Sequence, residues 1–344
     1  MSGLPPRLVL LPDSGPGVGL GHVSRCVALG AAAAALGARV SILAGGDAGA
    51  AALVRAAGLE TLAVAGGVNG PAAIERLAPV GADVVVVDSY RASPDQFVAL
   101  RTVAAQVVAV DDLGDRPLPV DVVVNGGMAA ETLSYRRVAG TRFLLGPHYA
   151  LLDARYAQAP APRAVDRVSR VLLSLGGGRH EGELRLALVA LGDALDGGVR
   201  VDVAGGRGDD VPLLATAARA LRQGVTIHTD VAGLRELIEA ADVAVSGAGM
   251  TLYELCASAT PAVMMCMADN QRPNFEAFER ASAALGAGGA DDAELSASLR
   301  AALGRLATDG ALRAALGARG RALVDGQGAQ RVARAITAPV VSLR

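Results

Sequence analysis

The chain contains no lysine: every one of its 32 basic residues is an arginine. That absence excludes a Schiff-base lysine, a P-loop lysine and the nucleotide-contacting lysine of a kinase. There is no tryptophan and aromatic residues make up only 3%, which argues against stacking platforms for bases or sugars. The three cysteines, Cys26, Cys256 and Cys266, form no Cys-x-x-Cys spacing and no disulfide framework; they read as buried reduced thiols of a cytoplasmic protein. The four histidines are scattered over separate regions, so no metal cluster is expected, and no cofactor. Neither sign of charge dominates: 32 basic against 34 acidic residues give a net charge of −2, and nothing electrostatic points to nucleic acid or an anionic membrane. The start, MSGLPPRLVLLPD, lacks a basic segment followed by a long apolar one, so no signal peptide is expected. The Ala-rich stretch 26–38 is too short to span a bilayer.

What is present is apolar and helical. Hydrophobic residues make up 52% of the 344, enough for about two globular domains. Short apolar runs alternate with longer Ala/Leu/Arg stretches. A first set of runs covers 8–12, 40–45, 83–89, 106–112 and 121–127; a second covers 169–177, 199–205, 225–230, 241–249 and 261–267. Near-continuous Val/Leu/Ile runs separated by helices mean parallel strands buried on both faces. The expected fold is α/β, two doubly wound Rossmann-like domains facing a cleft. The boundaries read as 1–150, a linker at 151–167 centred on Pro160 to Pro162, 168–327, and a last helix within 328–344 packing back on the first domain.

In such sheets the loops after the strands carry the ligand. Asp13 to Arg25 follows the first strand, and its glycines do not fit G-x-G-x-x-G, so a nicotinamide cofactor is disfavoured. It ends in Gly21-His22 at the start of a helix, where the helix dipole favours a neutral imidazole able to act as a base. A capping or packing histidine is the alternative, and Arg25 faces either an anion or a neighbouring carboxylate. Ser246 to Glu254 is a second strand-to-helix turn, small enough for backbone N–H groups to approach a phosphate. Its Thr251-x-x-Glu254 spacing fits a capping box as well as a glutamate accepting ribose hydroxyls. Ser174 to His180 is either a further phosphate-facing turn or an ordinary βα turn. Asn270-Gln271 opens a helix, where Asp269 or Asn270 would serve as N-cap. Asp88, Ser89 and Tyr90 lie at one strand end, and Asp111-Asp112, at another, reads as a loop-entry turn or, less well, a metal pair.

Taken in order, DSGPGVGLGHVSRCVALG, VVVDSY, AVDDLGDR, LLGPHYALL, LLSLGGG, ADVAVSGAGMTLYELCASATPAV and ADNQ resemble the PseG/SpsG-like family over residues 7–285. That family is known for UDP-2,4-diacetamido-2,4,6-trideoxy-β-L-altropyranose hydrolase activity in pseudaminic acid biosynthesis, and it is similar in fold to GT-B glycosyltransferases such as the lipid II-forming N-acetylglucosaminyltransferase. The resemblance implies a UDP-sugar as substrate, with His22 as the catalytic residue. It implies Gly21, Arg25, Tyr90, Asn270 and Gln271 around the sugar, with Asn274 the alternative to Asn270. Gly176, Gly177, Gly247, Ala248, Gly249, Met250 and Thr251 would meet the diphosphate, Glu254 the ribose, and the backbone from Ile227 to Val231 the uracil. The alternative within the same fold is a glycosyltransferase that uses a UDP-sugar donor; a non-catalytic nucleotide-sugar-binding protein is the third reading. A monomer or weak dimer is expected. Two departures stand out: Gly178-Arg179-His180 where the family often carries an acidic residue, and a helical tail beyond residue 290.

Overall fold

The computed structural model describes residues 4–15, 18–44, 48–64, 67–158, 165–176, 180–205, 211–219, 221–229 and 233–338. The expected linker core at Pro160 to Pro162 lies outside them. The chain divides into two compact units, Met1–Ala154 with Gly326–Arg344, and Arg155–Asp325.

Unit 1 runs β1 (Arg7–Pro12), α1 (Gly21–Ala35), β2 (Arg39–Ala44), α2 (Ala48–Ala56), β3 (Glu60–Ala63), α3 (Pro71–Leu77), β4 (Ala82–Asp88), α4 (Pro94–Leu100), β5 (Ala104–Val110), β6 (Val122–Asn125) and β7 (Arg142–Leu145). Among the described residues its sheet has seven strands in the order β3-β2-β1-β4-β5-β6-β7, all paired parallel. The valine runs explain this layout. Val84 and Val86 enter one core with Leu8, Leu10, Val108 and Val122, while Val85 and Val87 enter the opposite core with Val9, Leu11, Val107 and Val123. A strand apolar at every position needs cover on both faces, and only a central parallel strand has it.

Unit 2 runs β8 (Arg170–Ser174), α5 (Glu181–Ala194), β9 (Arg200–Ala204), α6 (Val211–Arg219), β10 (Gly224–His228), α7 (Arg235–Ala240), β11 (Val243–Gly247), α8 (Met250–Ala257), β12 (Ala262–Cys266), α9 (Arg272–Arg280), β13 (Leu285–Gly289), α10 (Leu295–Thr308) and α11 (Gly310–Leu323). Its described strands follow the order β10-β9-β8-β11-β12-β13, again parallel. Both sheets are therefore doubly wound, and each reverses its strand order at one point, between β1 and β4 or between β8 and β11.

The last helix, α12 (Gly328–Thr337), belongs to unit 1 and packs on α1. Its Ala329, Val332, Ala333 and Ile336 join Ala28, Leu29, Ala32 and Ala33 of α1 in one buried cluster. The backbone turn at Ala150 is held between two glycines. A Cβ on Gly328 would lie 2.2 Å from the Ala150 carbonyl oxygen, and one on Gly126 would lie 2.5 Å from the Ala150 Cα. No helix among the described residues is long and apolar enough to cross a membrane.

Candidate functional site

In unit 1 the chemistry gathers at the switch point between β1 and β4, where open α/β sheets take their ligands. β4 ends on Asp88, which is wholly buried. His22, in the first turn of α1, points its Nδ1 at Asp88 Oδ1, 2.6 Å away. A carboxylate can only accept, so Nδ1 carries a proton toward Asp88. Arg25, one turn further along α1, grips the same carboxylate with two bonds, Nε to Oδ2 at 3.0 Å and Nη2 to Oδ1 at 2.7 Å. Its remaining nitrogen, Nη1, donates to Asp112 Oδ2 at 2.6 Å. All three guanidinium nitrogens are thus committed to carboxylates. The Tyr90 hydroxyl donates to the same Asp112 oxygen at 2.8 Å, and its ring stands edge-on to the His22 ring with centroids 4.7 Å apart.

These contacts set the charge states. Burial works against the Asp112 carboxylate, but the Arg25 charge and the hydrogen bonds from Arg25 and Tyr90 outweigh it and hold Asp112 below the usual carboxylate range. Burial, and after it the Asp112 charge, pushes the Tyr90 phenol far above its ordinary range, so Tyr90 stays a neutral donor. Burial likewise keeps the Cys26 thiol protonated.

Two more acid–base pairs flank the cluster. Asp13, at the end of β1, accepts from Ser89 Oγ at 2.9 Å and pairs with Arg91. Burial opposes its ionised form, yet the Arg91 and Ser89 hydrogen bonds hold it below the usual range. Asp111 accepts from the backbone N–H of Gly114 at 2.7 Å, as a loop-entry aspartate does, and lies 3.4 Å from Arg116. Burial dominates there and raises its carboxyl above the ordinary value. The neighbours in Asp111-Asp112 therefore do different work: the first closes a turn, and the second anchors Arg25. Among the described residues no group of three His, Cys, Asp or Glu side chains is arranged to hold a metal ion.

Of the sequence candidates in unit 1, His22, Arg25 and Tyr90 come together, and Gly21 opens α1 beside them with open space where a Cβ would be. Asp88 and Asp112 are the residues that sequence reasoning did not assign. The signal was present for Asp88, an acid closing the run VVVVD at a strand end.

In unit 2 the equivalent point is built from backbone. β11 ends on Gly247 and passes through Ala248 and Gly249 into α8. A Cβ on Gly247 would lie 3.1 Å from the Leu175 carbonyl oxygen and from Met267 Cγ, so the turn threads closely between its neighbours. The N-cap of α8 is Gly249, with no side chain capping the helix. Thr251 is therefore inside the helix, and the capping-box reading of Thr251 and Glu254 does not hold. Uncapped first-turn N–H groups and a positive dipole end define an anion-receptive position. Gln271 reaches this turn: its Oε1 accepts from Met267 N at 3.2 Å, and its Nε2 lies 3.5 Å from where a Gly249 Cβ would stand. Asn270 sits exposed on the short turn Asp269–Gln271. Neither it nor Asp269 caps α9, whose N-cap residue is Gln271. Asn274 is half-buried on α9, and Glu254 is half-buried in α8. Gly176 follows β8 with a φ of 97°, a left-handed conformation that suits glycine. Gly177 and Val231 lie outside the described residues.

No family model matches the chain, and no curated protein matches it in sequence. Solved structures do match in fold. Arabidopsis thaliana UGT89C1 complexed with UDP is similar with a TM-score of 0.68 at 14% identity, covering 97% of this chain and 100% of that one. Acinetobacter baumannii MurG is similar with a TM-score of 0.66 at 15% identity, covering 96% and 99%. Anabaena HepE, solved in complex with UDP and glucose, has a TM-score of 0.62 at 14% identity, covering 96% and 99%. Two Rossmann-like units with these neighbours define the fold as that of the GT-B glycosyltransferases.

Proposed function

We propose that the chain is a nucleotide-sugar enzyme that hydrolyses a UDP-activated acetamido or deoxy sugar with inversion at the anomeric carbon. The observation that carries this reading is the His22–Asp88 pair, 2.6 Å apart and placed at the switch point of unit 1. Asp88 fixes the Nδ1–H tautomer, so Nε2 takes a proton from water as that water attacks the anomeric carbon. The bond from that carbon to the diphosphate oxygen breaks, and UDP leaves with the electron pair. The proton stays on His22, where Asp88 stabilises the imidazolium. General base catalysis of this kind contributes on the order of 10²–10⁴-fold.

Unit 2 supplies the nucleotide side of the reading. The backbone of Gly247, Ala248, Gly249, Met250 and Thr251 would hold the diphosphate, whose growing charge the α8 N-terminus stabilises. Glu254 would accept from the ribose, and Gln271, with Asn270 or Asn274, would contact the sugar. The fold of the UDP complexes supports a uridine nucleotide, and the resemblance to the PseG/SpsG-like family supports water as the acceptor. Arg25, with its three nitrogens committed to Asp88 and Asp112, acts as a positioning residue in this account rather than as a sugar ligand.

The second reading is a glycosyltransferase in which His22 deprotonates an acceptor hydroxyl. What favours it is the match in fold to MurG and UGT89C1. Acceptor-free UDP release separates the two. The protein is incubated with UDP-N-acetylhexosamines and UDP-diacetamido-trideoxyhexoses in EDTA, beside His22→Asn. Release by the wild type but not by the variant is expected. Tight UDP binding with no release from any sugar would overturn the hydrolase reading and leave the transferase and the non-catalytic binding protein, which an added acceptor then separates.

A further inference from the structure

The carboxyl edge of the unit 1 sheet carries a row of acids and bases that does not balance. Asp13 is matched by Arg91, and Arg116 stands between Asp111 at 3.4 Å and the more exposed Asp115 at 2.9 Å. At the centre of the row, Asp88 and Asp112 share the single guanidinium of Arg25, which leaves one surplus negative charge within that trio. His22 is the ionisable group placed against that surplus. The groups facing it are Asp88 at the end of β4, Arg25 on its own helix, Tyr90 and Asp112 from the loops after β4 and β5, and Asp13 from the end of β1. Tyr90 is held in its neutral form, and Asp13 is paired with Arg91.

We propose that Asp112 is a positioning residue for His22: by drawing on the Arg25 charge it leaves Asp88 a net anion toward the imidazole ring, so that a proton arriving at Nε2 completes a neutral cluster. Without Asp112, the bidentate Arg25 would cancel Asp88, and the imidazolium would form beside a neutralised carboxylate. The same contact fixes geometry. Asp112 holds the Tyr90 hydroxyl, and the Tyr90 ring edge braces the plane of the histidine. A pre-placed counter-charge of this kind acts without reorganisation when the charge develops. The catalytic consequence rests on His22 being the base; the charge arrangement stands apart from it.

The test is a titration of the imidazole signals of His22 by NMR on the substrate-free protein, assigned by their loss in His22→Asn. Asp112→Asn keeps the hydrogen-bonding oxygen and removes the charge. The His22 midpoint is expected to fall by about one pH unit, and Asp112→Glu is expected to return it to the wild-type position. In turnover, Asp112→Asn lowers kcat with little change in KM, and Asp112→Glu restores part of it. An unchanged midpoint in Asp112→Asn, or an equal shift in Asp112→Glu, would overturn the proposal and reduce Asp112 to a structural contact. If circular dichroism shows Asp112→Asn to be unfolded, Asp112→Ser is read by the same criteria. The titration needs no substrate, so a failure of the hydrolase reading and a failure of this inference are seen separately.

Discussion

One position in the fold separates the two units. The strand that returns beside the first strand of each sheet, β4 in unit 1 and β11 in unit 2, ends on Asp88 in the one and on Gly247 in the other. The strand order around that point is the same. Asp88 is a buried carboxylate bonded to His22 and Arg25. Gly247 has no side chain and sits against Leu175 and Met267, and the backbone after it turns into the start of α8, which no side chain caps. A single topology thus provides a charged site where its strand ends in an acid and an anion-receptive cradle where it ends in glycine.

The comparison can be broken at each point. Asp88→Asn has the largest expected effect. It leaves a buried guanidinium partly unpaired, costing about 3–5 kcal/mol of stability in urea unfolding, and it frees the histidine tautomer, lowering turnover by roughly 10²–10⁴-fold. UDP affinity, a property of unit 2 in this account, should stay at the wild-type value. Gly247→Val is the mirror experiment. Its branched side chain would push against the Leu175 carbonyl and Met267, displacing the turn; UDP affinity by calorimetry should fall by about tenfold or more, equivalent to roughly 1.4 kcal/mol, while the His22 titration is unchanged. Gly249→Ala is milder, because its Cβ meets only the end of the flexible Gln271 side chain at 3.5 Å. It should raise KM with little effect on unfolding.

The smallest effect concerns acid stability in unit 2. Asp202, on β9, accepts from Arg170 Nε at 2.6 Å and lies 2.7 Å from His228 Nε2. Burial works against its ionised form, but these partners hold its carboxyl below the usual range. A depressed carboxylate stabilises the fold above its unfolded pKa of about 3.9, and this is lost as pH falls through the lower folded value. Asp202→Asn should therefore flatten the fall in stability below about pH 4, read from urea midpoints across that window.

The parts of the fold that were legible in the sequence follow from burial. Central strands such as β4 and β11 are covered on both faces and read as continuous apolar runs. The runs predicted from the sequence omit β3, β7 and β13, whose sequences are ETLA, RFLL and LGAGG. All three are edge strands. An edge strand has one neighbour and needs less apolar cover, so its pattern is weak. The site divides in the same way. The Gly21-His22 turn and the Gly247 to Gly249 turn are local features and were visible. The contacts that organise His22 span 66 residues to Asp88 and, through Arg25, 87 residues to Asp112. Pairings at that separation are set by strand order, which local spacing does not encode. Helix caps are less legible: Gly249 and Gln271 stand at the N-caps, whereas the sequence offers Thr251 as one of two readings of its spacing and Asp269 or Asn270 for α9.

The central claim is a division of labour, proton transfer in unit 1 and nucleotide binding in unit 2. The measurement that tests it most directly is UDP affinity by calorimetry, set beside acceptor-free UDP release, for the wild type and His22→Asn. The account predicts equal affinity for the two proteins, with release lost only in the variant. Equal release by the two, or UDP affinity that collapses with the histidine, would contradict it.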